Sequence, residues 1–275
     1  MKKGLKYLSI LFALILVITG CGKKDKKEES KSASNDDFAA AVEKTSNVKG
    51  FKMNAKADIK VSAQGQEMPM SLSMNGDVYS DLEKPSAHIN GTIDLGALGG
   101  KQDVELYTNV KDGKIYTYSK TENQWTVDTQ DYNKEQTNKV NKEEILNKIK
   151  DAKEIEKVDS DKDGYTKYQI KVTADKINEA LKTVGSAAGT DMKVDSDFKL
   201  DVYVKDGYVS IISIDLGDLF KKMLKSSGTN MDVTAKMTIE FSDFDKVSEI
   251  VVPESVVSTA KADTTGSNSM LNFIK

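Results

Sequence analysis

Phe51-Lys52-Met53-Asn54-Ala55-Lys56-Ala57-Asp58-Ile59-Lys60-Val61 alternates apolar and polar side chains without a break. Successive side chains of an extended chain point to opposite faces, so the run predicts a strand that is wet on one face only. Eleven residues reach roughly 35 Å, long for a strand, which points to a tall, curved sheet. The same period returns in Met68, Met70, Leu72, Met74, Gly76 and Val78, after a turn at Gly65. It returns again in Ala87, Ile89, Gly91, Ile93 and Leu95, and in Val104, Leu106, Thr108 and Val110. Asp112-Gly113 turns that fourth run into Ile115 to Tyr118, with Trp125 to Val127 adding another strand, and Asp-Gly between alternating runs signals a hairpin.

The second half repeats the pattern with more interruptions. Strands are expected at Tyr165 to Thr173, at Phe198 to Val204, beyond Asp206-Gly207 at Tyr208 to Ile214, and from Met231 to Phe241. Four stretches carry helical spacing instead. Phe38, Ala41, Val42 and Thr45 follow possible caps at Asn35 to Asp37; Ile145, Leu146, Ile149 and Ala152 follow a capping box at Asn141 to Glu144. Ile177, Ala180, Leu181 and Val184 follow Thr173, and Leu216, Leu219, Phe220, Met223 and Leu224 form the last stripe. Val251-Val252-Pro253 closes the fold, and residues from Ser258 onward are expected to fray. The fold class is therefore α+β: a large curved antiparallel sheet, a half-open barrel, with a few short helices packed on its concave face.

The N-terminus sets the address. Lys2, Lys3 and Lys6 precede an apolar run from Leu8 to Ile18, about half the roughly 20 residues needed to cross a bilayer, which is the order of a secretory signal. Ile18-Thr19-Gly20-Cys21 then resembles the lipobox of bacterial lipoproteins. That resemblance implies a diacylglyceryl group on the Cys21 sulfur, cleavage between Gly20 and Cys21, and a protein held on the extracytoplasmic face of the cell membrane. Gly22 to Asp37 is polar and cannot bury enough surface to offset its ordering entropy, so it reads as a leash spanning roughly 20 to 25 Å. The chain divides accordingly into a signal peptide at 1–20, a lipidated cysteine and linker at 21–36, one domain at 37–257 and a disordered tail at 258–275.

Removing residues 1–20 takes away three lysines and no acids, leaving 37 lysines against 43 acids, a net charge of −6. No arginine occurs, so the planar fork that reads guanine or clamps phosphate is missing and nucleic acid is not an expected partner. With one cysteine there is no internal disulfide, and stability must come from packing.

The inner face is rich in methionine, a flexible side chain that suits ligands of variable shape. Residues expected to line an apolar hollow are Met53, Ala55 and Ile59, then Met70, Leu72 and Met74, then Ile89 and Ile93, and finally Leu200, Val202, Val233, Met237 and Ile239. Two readings of that face stay open, an ordinary packed core and a cavity for a small amphiphile. The lipobox, the first helix, the long alternating strands, the helices between them and the Ile250-Val251-Val252-Pro253 ending together resemble the LolA/LppX/LprG-type lipoprotein carriers and their Gram-positive relatives. The resemblance implies a half-open barrel whose concave face holds helices and, in several members, acyl chains.

Other candidates are thinner. Asp159, Asp161 and Asp163 with Gly164 copy the first half of a calcium loop, but Ile170 stands where a bidentate carboxylate belongs, so an acidic turn is the better account and no metal is expected. His88 is the sole histidine, on the outward face, which excludes a histidine-based triad or a multi-histidine zinc site. Tyr107, Tyr116, Tyr118 and Trp125 fit either strand propensity or an aromatic platform for a sugar or peptide. No cofactor is implied and no enzyme is expected. The leading expectation is a membrane-anchored lipoprotein binding a lipid or glycolipid in an apolar cavity, for carriage or sensing. The rival is an envelope interaction or sensor module with a packed core and a protein partner.

Overall fold

The computed structural model describes residues 33–132 without 64, 65, 82 and 122, then 154–174, 197–218, 220–221 and 232–262. The signal, Gly20, Cys21, the turn at Gly65, the helices expected at 142–152 and 177–184, and the last residues of the tail lie outside them. Elements run in the order α1 (Ala33–Ser46), β1 (Gly50–Ala63), β2 (Gln66–Tyr79), β3 (Ser86–Asp94), β4 (Lys101–Lys111), β5 (Lys114–Thr121) and β6 (Gln124–Asp131). They continue with β7 (Ile155–Val158), β8 (Thr166–Val172), β9 (Phe198–Lys205), β10 (Tyr208–Asp215), β11 (Asp232–Ser242), α2 (Glu254–Thr259) and β12 (Lys261–Ala262). The chain forms two compact units.

One unit contains α1 and the antiparallel run β10-β9-β8-β7. Its core forms because Ile155, Ile170, Leu200 and Ile214 stand in one cross-strand row, with Tyr168, Val202 and Ile212 in the next. Helix α1 lies on that face: Phe38, 2% exposed, sets its ring 4.8 Å from that of Tyr168. Thr45 Oγ1 accepts the Val209 N–H at 2.8 Å, and Lys44 Nζ donates to Asp206 O, so the last turn of the helix is tied to β10. Strand β10 departs from alternation. A register shift between Val209 and Ile211 leaves Val209 to Ile212 buried in succession.

The other unit orders its strands β12-β6-β5-β4-β3-β2-β1-β11, antiparallel except for the two-residue pairing of β12 with β6. Strands β1 and β2 are 14 residues each, matching the long runs seen in the sequence. The turns at Asp112-Gly113 and Asp206-Gly207 form as expected. Both residues of each pair have positive φ, which gives the two-residue turn whose twist matches its strands.

Three expectations are corrected. The described residues are mostly open antiparallel sheet with two short helices, so strand outweighs helix more than the α+β reading allowed. Helix α1 begins at Ala33, inside the stretch read as linker. The fold also does not end at Pro253: α2 runs to Thr259 and β12 to Ala262, because Val252 and Val256 bury themselves against Tyr118. Two valines four apart in a polar segment are too brief a signal to predict a helix.

Candidate functional site

In the second unit, register places the inner residues of five strands in common rows. Phe241, Met53, Gly76, Ile89 and Leu106 form one row; Ile239, Ala55, Met74, Gly91 and Val104 form the next. Met237, Ala57, Leu72 and Ile93 follow, and then Ala235, Ile59 and Met70. Eleven of the thirteen residues expected to line a hollow therefore share one face, since Val233 opposes Val61 in the row after that. Leu200 and Val202 belong to the other unit, at 2% and 1% exposure on the face that carries α1.

Burial splits the eleven. Ala55, Leu72, Met74, Ile93, Val233, Met237 and Ile239 are buried, with Ile239 at 1% exposure. Met53, Ile59, Met70 and Ile89 are half-buried, as are Val61 and Met68 beside them. Phe241 and Val104, in the first two rows, are half-buried as well, so accessible apolar side chains run along this face from β11 to β4. Along the same face the chemistry changes from strand to strand: Leu106 opposes Ser119 and then Thr126, and Thr108 opposes Thr117 and then Asp128. Strands β4 to β6 carry no lysine there. Thr117 is fully buried and its hydroxyl makes no hydrogen bond. Burying an unpaired hydroxyl costs about 1 to 3 kcal/mol, a cost that the fold itself bears at this depth.

Gly91 lets this face form. A Cβ there would stand 2.1 Å from Ser73 O and 2.8 Å from Met74 Cα, so only hydrogen fits between β3 and β2.

The opposite face of the same sheet holds the aromatic residues. Tyr118 packs with Val252 and Val256, and Tyr107, Tyr116, Trp125, Val127 and Ala260 surround them. Burial, first, and the neighbouring Tyr116 and Glu254 raise the Tyr118 pKa; burial, with Glu105 nearby, raises that of Tyr107. The aromatics are thus partly core under the C-terminal segment. That role was invisible in the sequence because α2 follows them by more than 120 residues. His88 lies on this face, stacked on Tyr107 at 4.1 Å and 6°, with Nε2 3.3 Å from Glu105 Oε1.

The calcium-like turn is occupied by its own protein. Tyr203 donates its hydroxyl to Asp161 Oδ1 at 2.9 Å, and Lys167 Nζ bridges Asp161 and Asp201 at 3.4 and 2.9 Å. Asp159 and Asp163 are exposed, and among the described residues no three candidate ligands gather closely enough to hold a metal ion. The hydrogen bond from Tyr203, then a backbone N–H, lowers the Asp161 pKa, while its bonds to Asp201, foremost, raise that of Lys167. A lowered carboxylate pKa adds stability above the unfolded value that is lost as pH falls through the folded one. Asp161→Asn is accordingly expected to flatten the acid limb of a stability–pH curve below the ordinary carboxylate range; a limb identical to the parent's would refute the contact's role.

A family model described as "Family of unknown function (DUF6612)" matches residues 35–206, more than half of the chain. None of the curated proteins matches it. Among solved structures, LprF from Mycobacterium bovis is similar at 11% identity and a TM-score of 0.47, over 83% of this chain and 100% of that one. A DUF1329 protein from Desulfovibrio piger is similar at 10% identity and a TM-score of 0.26, over 79% and 94%. A β-barrel-like DUF1849 protein from Brucella abortus follows at 11% and 0.23, over 71% and 100%. Likenesses this distant speak to neither ligand nor activity. No helix among the described residues is long and apolar enough to cross a membrane.

Proposed function

Since this chain belongs to DUF6612, a family of unknown function, we propose from its own residues that it is a membrane-anchored lipoprotein that binds an amphiphile. The anchor is the lipid that the lipobox-like Ile18 to Cys21 would place on Cys21, on the extracytoplasmic face. The ligand lies on the sheet of the second unit, in a half-open barrel of the carrier type. Its hydrocarbon part meets Met53, Ile59, Met70 and Ile89, and its polar part turns toward Thr108 and Ser119, which are half-buried. The protein does no chemistry on it.

One observation carries this reading: a single register-aligned face passes from accessible methionine and isoleucine to hydroxyl side chains within a few strands. Each fully buried methionine or isoleucine is worth about 1.5 to 3 kcal/mol, so covering four half-buried ones contributes roughly 3 to 6 kcal/mol toward binding, before the cost of association is met.

Native mass spectrometry of the Cys21→Ser chain tests it. Adducts of lipid mass are expected, and Met70→Lys should remove them while leaving the fold intact. A clean apoprotein that also ignores fluorescent fatty acid would favour the second reading, a packed module that meets a protein partner. That reading draws on Val251, which is 79% exposed at the C-terminal segment.

A further inference from the structure

We propose that Met53, Met68 and Met70 form a site of reversible oxidation, at which a peroxide turns three thioethers into sulfoxides and so loosens the hold of the inner face of the second unit on its amphiphile. The regulation rests on the amphiphile reading above.

Methionine is unevenly placed in this fold. All five methionines among the described residues, Met53, Met68, Met70, Met74 and Met237, lie on that inner face. The described core of the first unit is built from residues such as Phe38, Tyr168, Leu200, Val202 and Ile214, and the described part of that unit holds no methionine. Oxidisable sulfur is thus gathered on one surface.

Burial divides the five. Met74 and Met237 are 5% and 3% exposed. Met74 stands between Ala55 and Gly91, and Met237 stands beside Ala57, so each fills space that small neighbours leave. Met53, Met68 and Met70 are half-buried. The Cε methyl of Met53 extends over Gly76, a residue without a side chain. Strand β2 pairs with β1 as far as Gln66 but with β3 only from Ser71, so Met68 and Met70 stand on a stretch flanked by one strand.

The chemistry follows from that access. The sulfur lone pair attacks one oxygen of hydrogen peroxide, and an S–O bond forms as the O–O bond breaks. Sulfur is oxidised by two electrons, and the departing hydroxide takes the proton from the transferred oxygen and leaves as water. The oxidant must touch the sulfur, so half-buried thioethers react ahead of buried ones. The new oxygen is a hydrogen-bond acceptor, and an acyl chain laid over it strips its water without supplying a donor. Affinity falls, while the packing made by Met74, Met237 and Ile239 is kept. A sulfoxide reductase reverses the step, oxidising two thiols to a disulfide and releasing the oxygen as water. Cys21 is the one cysteine and the proposed lipid attachment, so no free thiol of the chain intercepts the peroxide. At the proposed extracytoplasmic address the cytosolic thiol pool is absent too.

The Cys21→Ser chain, treated with hydrogen peroxide, is read by peptide mass mapping and by uptake of fluorescent fatty acid. Oxygen is expected on Met53, Met68 and Met70 before Met74 or Met237. Uptake should weaken by about tenfold or more, with the unfolding midpoint kept. Methionine sulfoxide reductases of both stereospecificities, with dithiothreitol, should restore it. The combined Met53→Leu, Met68→Leu and Met70→Leu variant changes little volume; whatever its uptake before peroxide, it should keep it afterwards. A parent that takes up no fatty acid before treatment overturns the amphiphile reading and this regulation with it. Equal oxidation of Met74 and Met237, uptake that survives oxidation of the three, an oxidised chain that has lost its fold, uptake that the reductases fail to restore, or a triple variant that loses uptake as the parent does would overturn the regulation alone.

Discussion

Gly91→Ala is expected to cost on the order of 3 to 5 kcal/mol of folding stability, a large loss for the addition of one methyl group. The added carbon would stand 2.1 Å from Ser73 O and 2.8 Å from Met74 Cα. Both are backbone atoms of β2, and β2 is held in register with β3 from Ser71 opposite Asp94 to Tyr79 opposite Ser86. No rotamer change relieves the clash, so the strands must part locally and give up ladder bonds. Gly76 is the contrast in the neighbouring row. There a Cβ would meet Ile89 Cγ1 at 3.2 Å and the Met53 Cε methyl at 3.5 Å, both ends of movable side chains. Gly76→Ala should therefore cost under about 1 kcal/mol. Urea unfolding of the two variants separates these outcomes, and a Gly91→Ala midpoint equal to that of Gly76→Ala would sink the account of β2 and β3.

Phe38→Ala is expected to destabilise the first unit by about 3 to 5 kcal/mol. The ring is 2% exposed and tilted at 43° against Tyr168, itself 2% exposed, so truncation leaves a cavity against a residue that cannot move into it. The bonds of Thr45 to Val209 and of Lys44 to Asp206 hold the end of the helix, which prevents α1 from sinking to fill the space. Hydrogen exchange should rise at the β8, β9 and β10 amides. Phe38→Leu, which keeps most of the volume, should recover more than half of the loss. Equal exchange in the parent and Phe38→Ala would mean that α1 is not part of this core.

The two predictions rest on features of different legibility. Phe38 stood out at once, an aromatic at helical spacing with Ala41 and Thr45. Gly91 did not, because a glycine inside an alternating strand reads only as a weak position until the neighbouring backbone is known. The candidate site shows the same division. Period-two alternation named eleven residues that do share a face, since side-chain direction in a strand is a local property. Which of them stay accessible was not legible: Met70 and Ile239 look alike in sequence, yet one is half-buried and the other 1% exposed. Tyr107, Tyr118 and Trp125 were likewise ambiguous until Val252 and Val256 were seen beside them.

The amino-acid order by itself determined where ten of the twelve strands run, all but the short β7 and β12, which of their side chains face together and where the Asp-Gly turns fall, because pleat and turn chemistry act over two to four residues. Only the tertiary structure decided that β1 lies between β2 and β11, that β3 presses close enough on β2 to demand Gly91, and that the C-terminal segment covers the aromatic side. It also decided which apolar residues remain reachable. Those outcomes depend on partners far apart along the chain, and burial is a property of the neighbour as much as of the residue.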